Sequence, residues 1–302
     1  MGFDFTVSVL ASSANLGPGF DSFGIGLNLR NDFRFSASEE FSASSSGAYQ
    51  LDNGWEENMV ISVYLELCAR AGLDEKKFRL ESVNRIPFQS GLGSSATAIL
   101  AGVAAFRKIH GLSLDRLNIL ADAIYFEPHP DNLAAALYGG LTVAYVSESE
   151  ELPIVYNTKL GGKPNCLIIY PHQRVSTVES RKALKTEIPL SEAVKSIARA
   201  SVLSLALCEG RYEYLFDSML DTIHEPFRMN PDAEYPVLKE KLKSENFYGW
   251  AISGSGPSVI AFCKDQNDRV KTLIREHLKS RRIEFDFFDL EPDYGGLTIL
   301  DN

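Results

Sequence analysis

Strand and helix signals interleave along the whole 302-residue chain, which predicts a mixed α/β or α+β protein rather than a bundle or a sandwich. Short runs rich in β-branched and aromatic residues, such as Phe5–Leu10 and Cys166–Tyr170, alternate with longer segments whose apolar residues recur at helical spacing. No internal repeat at solenoid spacing is present.

In chain order, Phe5–Leu10 reads as a strand entering the glycine-bearing segment Ala11–Leu27, and Phe33–Phe35 as another strand. Ser36–Gly47 (SASEEFSASSSG) reads as a solvated hairpin tip and Asn53-Gly54 as a turn. A helix is expected over Glu56–Ala71, with Val60, Val63, Tyr64 and Leu67 on one face and Gly72 beyond its end. The strand-like run Phe78, Leu80, Val83 then leads into Ile86–Thr97, and Ala96–His110 again has helical spacing. A further helix covers Leu114–Tyr125, capped by Ser113 and closed before Pro128, and Leu141–Val146 reads as a strand. The acidic stretch Ser147–Pro153 and the turn Gly161–Pro164 mark the expected domain junction. Beyond it lie a buried strand (Cys166–Tyr170), a helix from Ser191 to about Glu209 and a helical segment near Leu215–Ile223. A strand–turn–strand at Gly249–Cys263, a charged helix at Gln266–Lys279 and a strand at Ile283–Leu290 complete the chain.

Composition removes several function classes. The 45% hydrophobic content is that of a soluble globular protein, and no apolar run approaches the roughly 20 residues a membrane helix needs. The N-terminus lacks a basic region and is not expected to be a signal peptide. A net charge of −10 argues against nonspecific nucleic-acid binding. Cys68, Cys166, Cys208 and Cys263 are scattered singly in apolar sequence, which points to reduced thiols in a cytoplasmic protein rather than disulfides or zinc.

Four segments carry chemistry. IPFQSGLGSSAT (Ile86–Thr97) is a glycine loop opening a helix, where bare N–H groups and the positive dipole end meet. It has no lysine after its second glycine, so it is not a P-loop, and its position does not suit a dinucleotide fingerprint. A phosphate site and a helix start capped by Ser94 both remain open. ASSANLGPGFDSFGIGL (Ala11–Leu27) places Asn15 and Asp21 among apolar neighbours, which glycine turns alone do not explain. EPHPDN (Glu127–Asn132) clusters His129, Asp131 and Asn132 behind two prolines, as an ordinary turn or as a site. SGSGPS (Ser253–Ser258) is either a plain hairpin or a close approach of backbone to a ligand.

Together these segments resemble the GHMP kinases, named for galactokinase, homoserine kinase, mevalonate kinase and phosphomevalonate kinase. IPFQSGLGSSAT is similar to their phosphate loop and SGSGPS to their C-terminal motif. SSANLGPGFDSFGIGL, and HPDN followed by Leu133-Ala134, resemble the homoserine kinase branch, so the resemblance runs from Val7 to about Phe262. It implies an α+β GHMP kinase fold. Residues 1–155 would form an ATP-binding layer of the ribosomal protein S5 domain 2 type, and residues 156–302 a ferredoxin-like layer. The implied reaction is ATP-dependent phosphorylation of the side-chain hydroxyl of L-homoserine to O-phospho-L-homoserine, for threonine biosynthesis. Kinases of threonine, shikimate or mevalonate, and an inactive nucleotide-binding relative, are the alternatives.

The resemblance also assigns residues. Pro87, Ser90, Gly91, Leu92, Gly93, Ser94, Ser95 and Ala96 would bind the phosphates of ATP, with Asn58 near the adenine. Mg²⁺ would take Ser95 and, if the segment is one residue shorter, Asp122, because Ala121 falls where the family has a glutamate. Asn15, Asp21, His129, Asp131 and Gly254 would hold homoserine, with Arg181 and Arg228 as candidates for its carboxylate, whose geometry suits a planar guanidinium. Asn132 would orient the hydroxyl, since a neutral amide cannot act as a base. Gln89 stands where the family has a small residue, and Ala134–Ala136 lack its proline. No nucleic-acid or membrane partner is expected, and a homodimer is an open expectation.

Overall fold

The protein is described by a computed structural model over residues 2–50, 54–147, 152–172, 177–228, 247–264 and 268–302. Two sheets organise it. In the first, β1 (Asp4–Ala14) runs antiparallel to β2 (Phe23–Ala37), and β3 (Ser42–Gly47) lies parallel to β4 (Phe78–Asn84), which pairs with β2. β5 (Leu141–Val146) pairs with the start of β2 and with β6 (Pro153–Thr158). The second sheet contains β7 (Asn165–Pro171), β8 (Phe247–Ile252), β9 (Val259–Cys263) and β10 (Phe285–Leu290) in the order β10-β7-β9-β8, all antiparallel. A late strand, β11 (Thr298–Asp301), returns to the first sheet beside β1.

Helices α1 (Met59–Ala71), α2 (Ser94–Ile109), α3 (Arg116–Ile124) and α4 (Pro130–Tyr138) share a core with one face of the first sheet, built around Phe35, Phe78, Tyr64 and Leu100. The other face, with Ile25, Leu27 and Leu141, shares a second core with the second sheet. Chain order then brings α5 (Thr177–Lys182), α6 (Leu190–Glu209), α7 (Leu215–Ser218), α8 (Glu225–Arg228) and α9 (Asp268–Ser280). Side chains alternate along β7: Cys166 and Ile168 enter the interlayer core with Leu203 and Leu207 of α6, whereas Leu167 and Ile169 pack with Val270, Ile274 and Leu278 of α9. Burial on both faces explains the unbroken apolar run read there.

Several expectations change. Ser42–Gly47 is an edge strand rather than a hairpin tip, because β4 supplies its partners and the Ser46 hydroxyl donates to Ser82 O at 3.1 Å. The loop within Ala11–Leu27 shrinks to eight residues, Asn15–Ser22, since β1 runs to Ala14 and β2 starts at Phe23. The third helix starts at Arg116 and is capped by Asp115, not Ser113; the Asp115 carboxylate accepts from Leu117 N. In Leu215–Ile223 only Leu215–Ser218 is helical, because Asp221 draws the N–H groups of Ile223, His224 and Glu225 to itself and starts α8. EPHPDN is not merely a turn: α4 begins within it, at Pro130. Positions 155 and 156, the expected domain boundary, lie inside β6. Asn53, residues 148–151 of the expected junction, and Gln266 lie outside the described residues.

The crossing of α1 and α2 sets where Asn58 and Met59 stand relative to the start of α2. A Cβ on Gly102 would lie 2.7 Å from Val60 O and 2.8 Å from Val63 Cβ. Gly102→Ala should therefore destabilise the protein by about 1–3 kcal/mol by urea unfolding, despite alanine's better helix propensity. A midpoint that stays or rises would show that α1 can back away.

Candidate active site

Three segments distant in sequence meet where β1 ends, β8 ends and α2 begins. Their backbones satisfy one another: Ser12 N–H donates to Leu92 O (3.2 Å), Gly254 N–H to Ala14 O (3.1 Å) and Ser258 N–H to Ser90 O (3.1 Å). Ser253 Oγ lies 2.7 Å from Gly91 O and 2.8 Å from Ser13 Oγ. Gly91 and Gly93 have φ of 81° and 71°, and a Cβ on either would collide with Ser253 O or Ser12 Oγ. Only glycine fits both the dihedral and the space.

The N-terminus of α2 is left bare. Gly93 is its N-cap and supplies no side-chain cap, while Ser94 is already helical, so the serine-cap alternative fails. The first-turn amides of Ser94, Ser95 and Ala96 therefore lack intrahelical acceptors at the positive end of the dipole. Other loop residues do different work. Ser90 Oγ donates to Pro87 O (2.8 Å) and accepts from Leu92 N (3.2 Å), and the Leu92 side chain is fully buried in the interlayer core. Pro87, Ser90 and Leu92 thus shape the loop, and the Leu92 amide is engaged by protein. Gln89 takes a φ of 53°, a region long side chains seldom adopt, and it lines the cavity in front of the loop.

That cavity is also lined by Ser90, Gly91, Gly93, Ser94, Ser95 and Ala96 and by Asn15, Asp21, His129, Asp131, Asn132, Arg181, Arg228 and Gly254. Asn58 lines a neighbouring cavity with Met59, Phe88, Ser94 and Thr97. Its Oδ1 caps α1 by accepting from Val60 N (3.0 Å).

Asn15 and Asp21 hold left-handed dihedrals, φ 71° and 55°. Asn15 steadies the loop in both directions, accepting from Asp21 N (3.0 Å) and donating to Gly254 O (2.7 Å). Asp21 receives a two-pronged contact from Arg181, at 2.8 and 3.0 Å. Arg181, expected on a carboxylate ligand, thus spends its fork on Asp21. Arg228 differs: Nη1 donates to Gly254 O (3.1 Å), and its buried Nε has no hydrogen-bond partner among the described residues. Phe20 lies under both guanidinium groups, 5.4 Å from Arg181 and 5.2 Å from Arg228. The Asn132 Oδ1 accepts from Ser12 Oγ (2.9 Å), which leaves its NH₂ as a donor.

Burial governs the titration of this cavity. It pushes the nearly fully buried Asp131 up to about 7, against the Asn132 N–H that its carboxylate accepts at 2.7 Å. Glu127 is likewise raised to about 7, by burial against the pull of Arg181. Burial also lowers His129, and Asp21 opposes that shift.

Asp122 is not in the site. It pairs with Arg107 Nε at 2.8 Å, thirteen residues along α2 from Ser94, which is about 20 Å at helical rise. A carboxylate that does line the cavity is Glu127, two residues before His129 and within the EPHPDN segment. Ser12 was also missed, and nothing local marks it.

Residues 58–140 match the family described as GHMP kinases N terminal domain, and residues 204–279 the one described as GHMP kinases C terminal. A homoserine kinase of Clostridium beijerinckii is 32% identical, with 98% of both chains covered. One of Carboxydothermus hydrogenoformans is 33% identical, covering 98% of this chain and 97% of its own. The chain belongs to the homoserine kinase family. The crystal structure of homoserine kinase from Cytophaga hutchinsonii superposes with a TM-score of 0.83 at 27% identity, over 98% of this chain and 97% of that one. A mevalonate diphosphate decarboxylase of Enterococcus faecalis (TM-score 0.72, 15% identity, all of both chains covered) shares the fold alone. As a GHMP kinase, this member of the homoserine kinase family is an ATP-dependent phosphotransferase with the family's mixed α and β frame.

Glu127 gives the site a pH signature. An unfolded glutamate titrates near 4.5 and the folded one near 7, so ionisation across that interval works against the folded form. Relative to Glu127→Gln, the ligand-free wild type should keep its full stability below about pH 4.5 and lose some as pH rises to about 7. Unfolding midpoints measured across that range check this, and a constant difference would contradict it.

Proposed function

We propose that this kinase transfers the γ-phosphoryl group of ATP to the side-chain hydroxyl of L-homoserine, giving O-phospho-L-homoserine for threonine synthesis. One observation carries the reading: the bare α2 terminus, Asn132 and a pair of opposite charges, Asp21 and Arg228, line the same cavity. A phosphate donor and a zwitterionic alcohol need those three features together.

The amides of Gly93, Ser94, Ser95 and Ala96 hold the ATP phosphates, and the adenine side falls towards the neighbouring cavity at Asn58. The substrate's ammonium goes to Asp21, supported by Asn15, His129 and Asp131, and its α-carboxylate to the Nε side of Arg228. Gly254 offers its carbonyl to both Asn15 and Arg228 and so fixes the floor between the two poles. Asn132, its carbonyl held by Ser12, donates to the substrate hydroxyl and aims it at the γ-phosphoryl. With no base at this position, the acceleration comes from positioning and charge stabilisation.

A divalent cation fits the donor set. Glu127 is a buried carboxyl that ionises with difficulty, a condition a cation relieves. The described residues hold no group of three or more His, Cys, Asp or Glu side chains suited to a metal, so the ion would depend on ligand oxygens and water, as Mg²⁺ commonly does. Ser95 and Glu127 would hold Mg²⁺, which when bound neutralises charge on the transferred group. We assign ATP binding to the layer of the first sheet, which holds β1–β6 and β11, and so takes in the end of β6 and β11 beyond residues 1–155. We place the protein in the cytoplasm; among the described residues no helix is long and apolar enough to cross a membrane.

A coupled ADP-release assay across homoserine, threonine, shikimate and mevalonate tests the substrate. Fast turnover should be confined to homoserine; turnover of another alcohol with none on homoserine would overturn the reading, and ATP binding without turnover on any of them would mark an inactive relative. Arg228→Ala should raise the homoserine KM roughly tenfold or more and leave the ATP KM within about twofold, because a charged hydrogen-bond partner is lost at one substrate only. Equal effects on both would remove the carboxylate role. Glu127→Gln should raise the Mg²⁺ concentration needed for half-maximal rate, whereas Asp122→Ala should not; the reverse pattern would restore Asp122 as the metal carboxylate.

A further inference from the structure

His224 is fully buried beside the site, yet the transfer described above gives it no task. Its Nε2 lies 2.9 Å from Gly17 O. A carbonyl only accepts, so Nε2 carries the proton; burial disfavours a second one, and Nδ1 is left as a lone pair. That lone pair faces Nη1 of Arg228 at 3.3 Å, while Nη1 also donates to Gly254 O at 3.1 Å. Both Nη1 hydrogens are then engaged, which stops the guanidinium from turning. The Nε–Nη2 edge faces away from these contacts, and its buried Nε is without a partner among the described residues. Phe20 stacks on the imidazole at 5.0 Å and lies under Arg228 at 5.2 Å. The remaining charged neighbour, Asp221, has Oδ2 3.7 Å from Nε2 but already accepts the N–H groups of His224 and Glu225.

We propose that His224 is a positioning residue for the substrate carboxylate. Its Nδ1 holds Nη1 of Arg228, while its Nε2 rests on Gly17 in the loop that carries Asp21. It also turns the Nε–Nη2 edge of Arg228 towards the ligand. The inference rests on the carboxylate role proposed for Arg228.

Two substitutions divide the two contacts of the ring. His224→Gln can still reach Gly17 O but offers no acceptor near Arg228; His224→Asn keeps an acceptor close to the Nδ1 position and gives up the Gly17 contact. Steady-state constants are measured on homoserine, on ATP, and on 2-amino-1,4-butanediol, which is homoserine with its carboxylate replaced by a hydroxymethyl group. His224→Gln should raise the homoserine KM roughly ten- to thirtyfold, as expected for a lost hydrogen bond to a charged group. It should leave the ATP KM and the kcat/KM for the diol within about twofold, and His224→Asn should stay within about threefold on homoserine. A homoserine KM unchanged in His224→Gln, or an equal loss on homoserine and the diol, would overturn the proposal. Arg228→Ala is run alongside: if it raises the homoserine KM and His224→Gln does not, only the role of His224 falls. If Arg228→Ala also has no effect, the carboxylate reading falls and takes this proposal with it. Should His224→Gln not fold, His224→Leu, which lacks both contacts, takes its place: a roughly tenfold rise in the homoserine KM with the diol unchanged supports the proposal, and an unchanged homoserine KM overturns it.

Discussion

The mutual hydrogen bonding of the end of β1 (Ser12–Ala14) with two loops, at Ser90–Leu92 and Ser253–Ser258, is the constraint on which the site depends. Buried backbone N–H and C=O groups must be paired, and here each segment supplies partners that the others lack. The clamp works only at close range, which is why Gly91 and Gly93 have no room for a Cβ. It also joins the two sheets, because β1 and α2 belong to one and the Ser253–Ser258 turn to the other. A phosphate-binding helix end and an amino-acid site are brought to one cavity as a consequence.

Within that clamp the free protein carries polar groups in unfavourable states. Glu127 and Asp131 resist ionisation, Arg228 keeps a buried Nε without a partner among the described residues, and the first turn of α2 has no side-chain cap. Each lowers the stability of the ligand-free fold, and each has the chemistry of a group the ligands would complete: a cation, a carboxylate and a phosphate. Left-handed dihedrals at Asn15, Asp21 and Gln89 add local strain in the same place. Such features persist only where surrounding packing over-determines them, and Phe20, the clamp and the interlayer core provide that packing.

Legibility in the sequence followed the range of the interactions. The helix bearing Val60, Tyr64 and Leu67, and the buried strand Cys166–Tyr170, were readable because periodicity and burial are local signals. β3 was not, since its pairing depends on β4 across the intervening α1. The motif residues around Asn15, Gly91 and Asn132 were readable as types, but their division of labour was not. Leu92 gives its amide to Ser90, Arg181 gives its fork to Asp21, and Asn58 caps α1; each of those partners is set by three-dimensional packing or fine loop geometry. Asp122 was misplaced because one residue of register moves a helical side chain by 100°, whereas Glu127 sits in the turn that α4 fixes.

A crystal structure of the protein with a non-hydrolysable ATP analogue, Mg²⁺ and homoserine tests the central claim most directly. The account predicts the terminal phosphate against the amides of Ser94–Ala96 and the homoserine hydroxyl between that phosphate and the Asn132 amide, with the contacts among the three segments intact. A phosphate chain seated away from the α2 terminus, or an amino acid bound outside the cavity shared by Asp21 and Arg228, would contradict it.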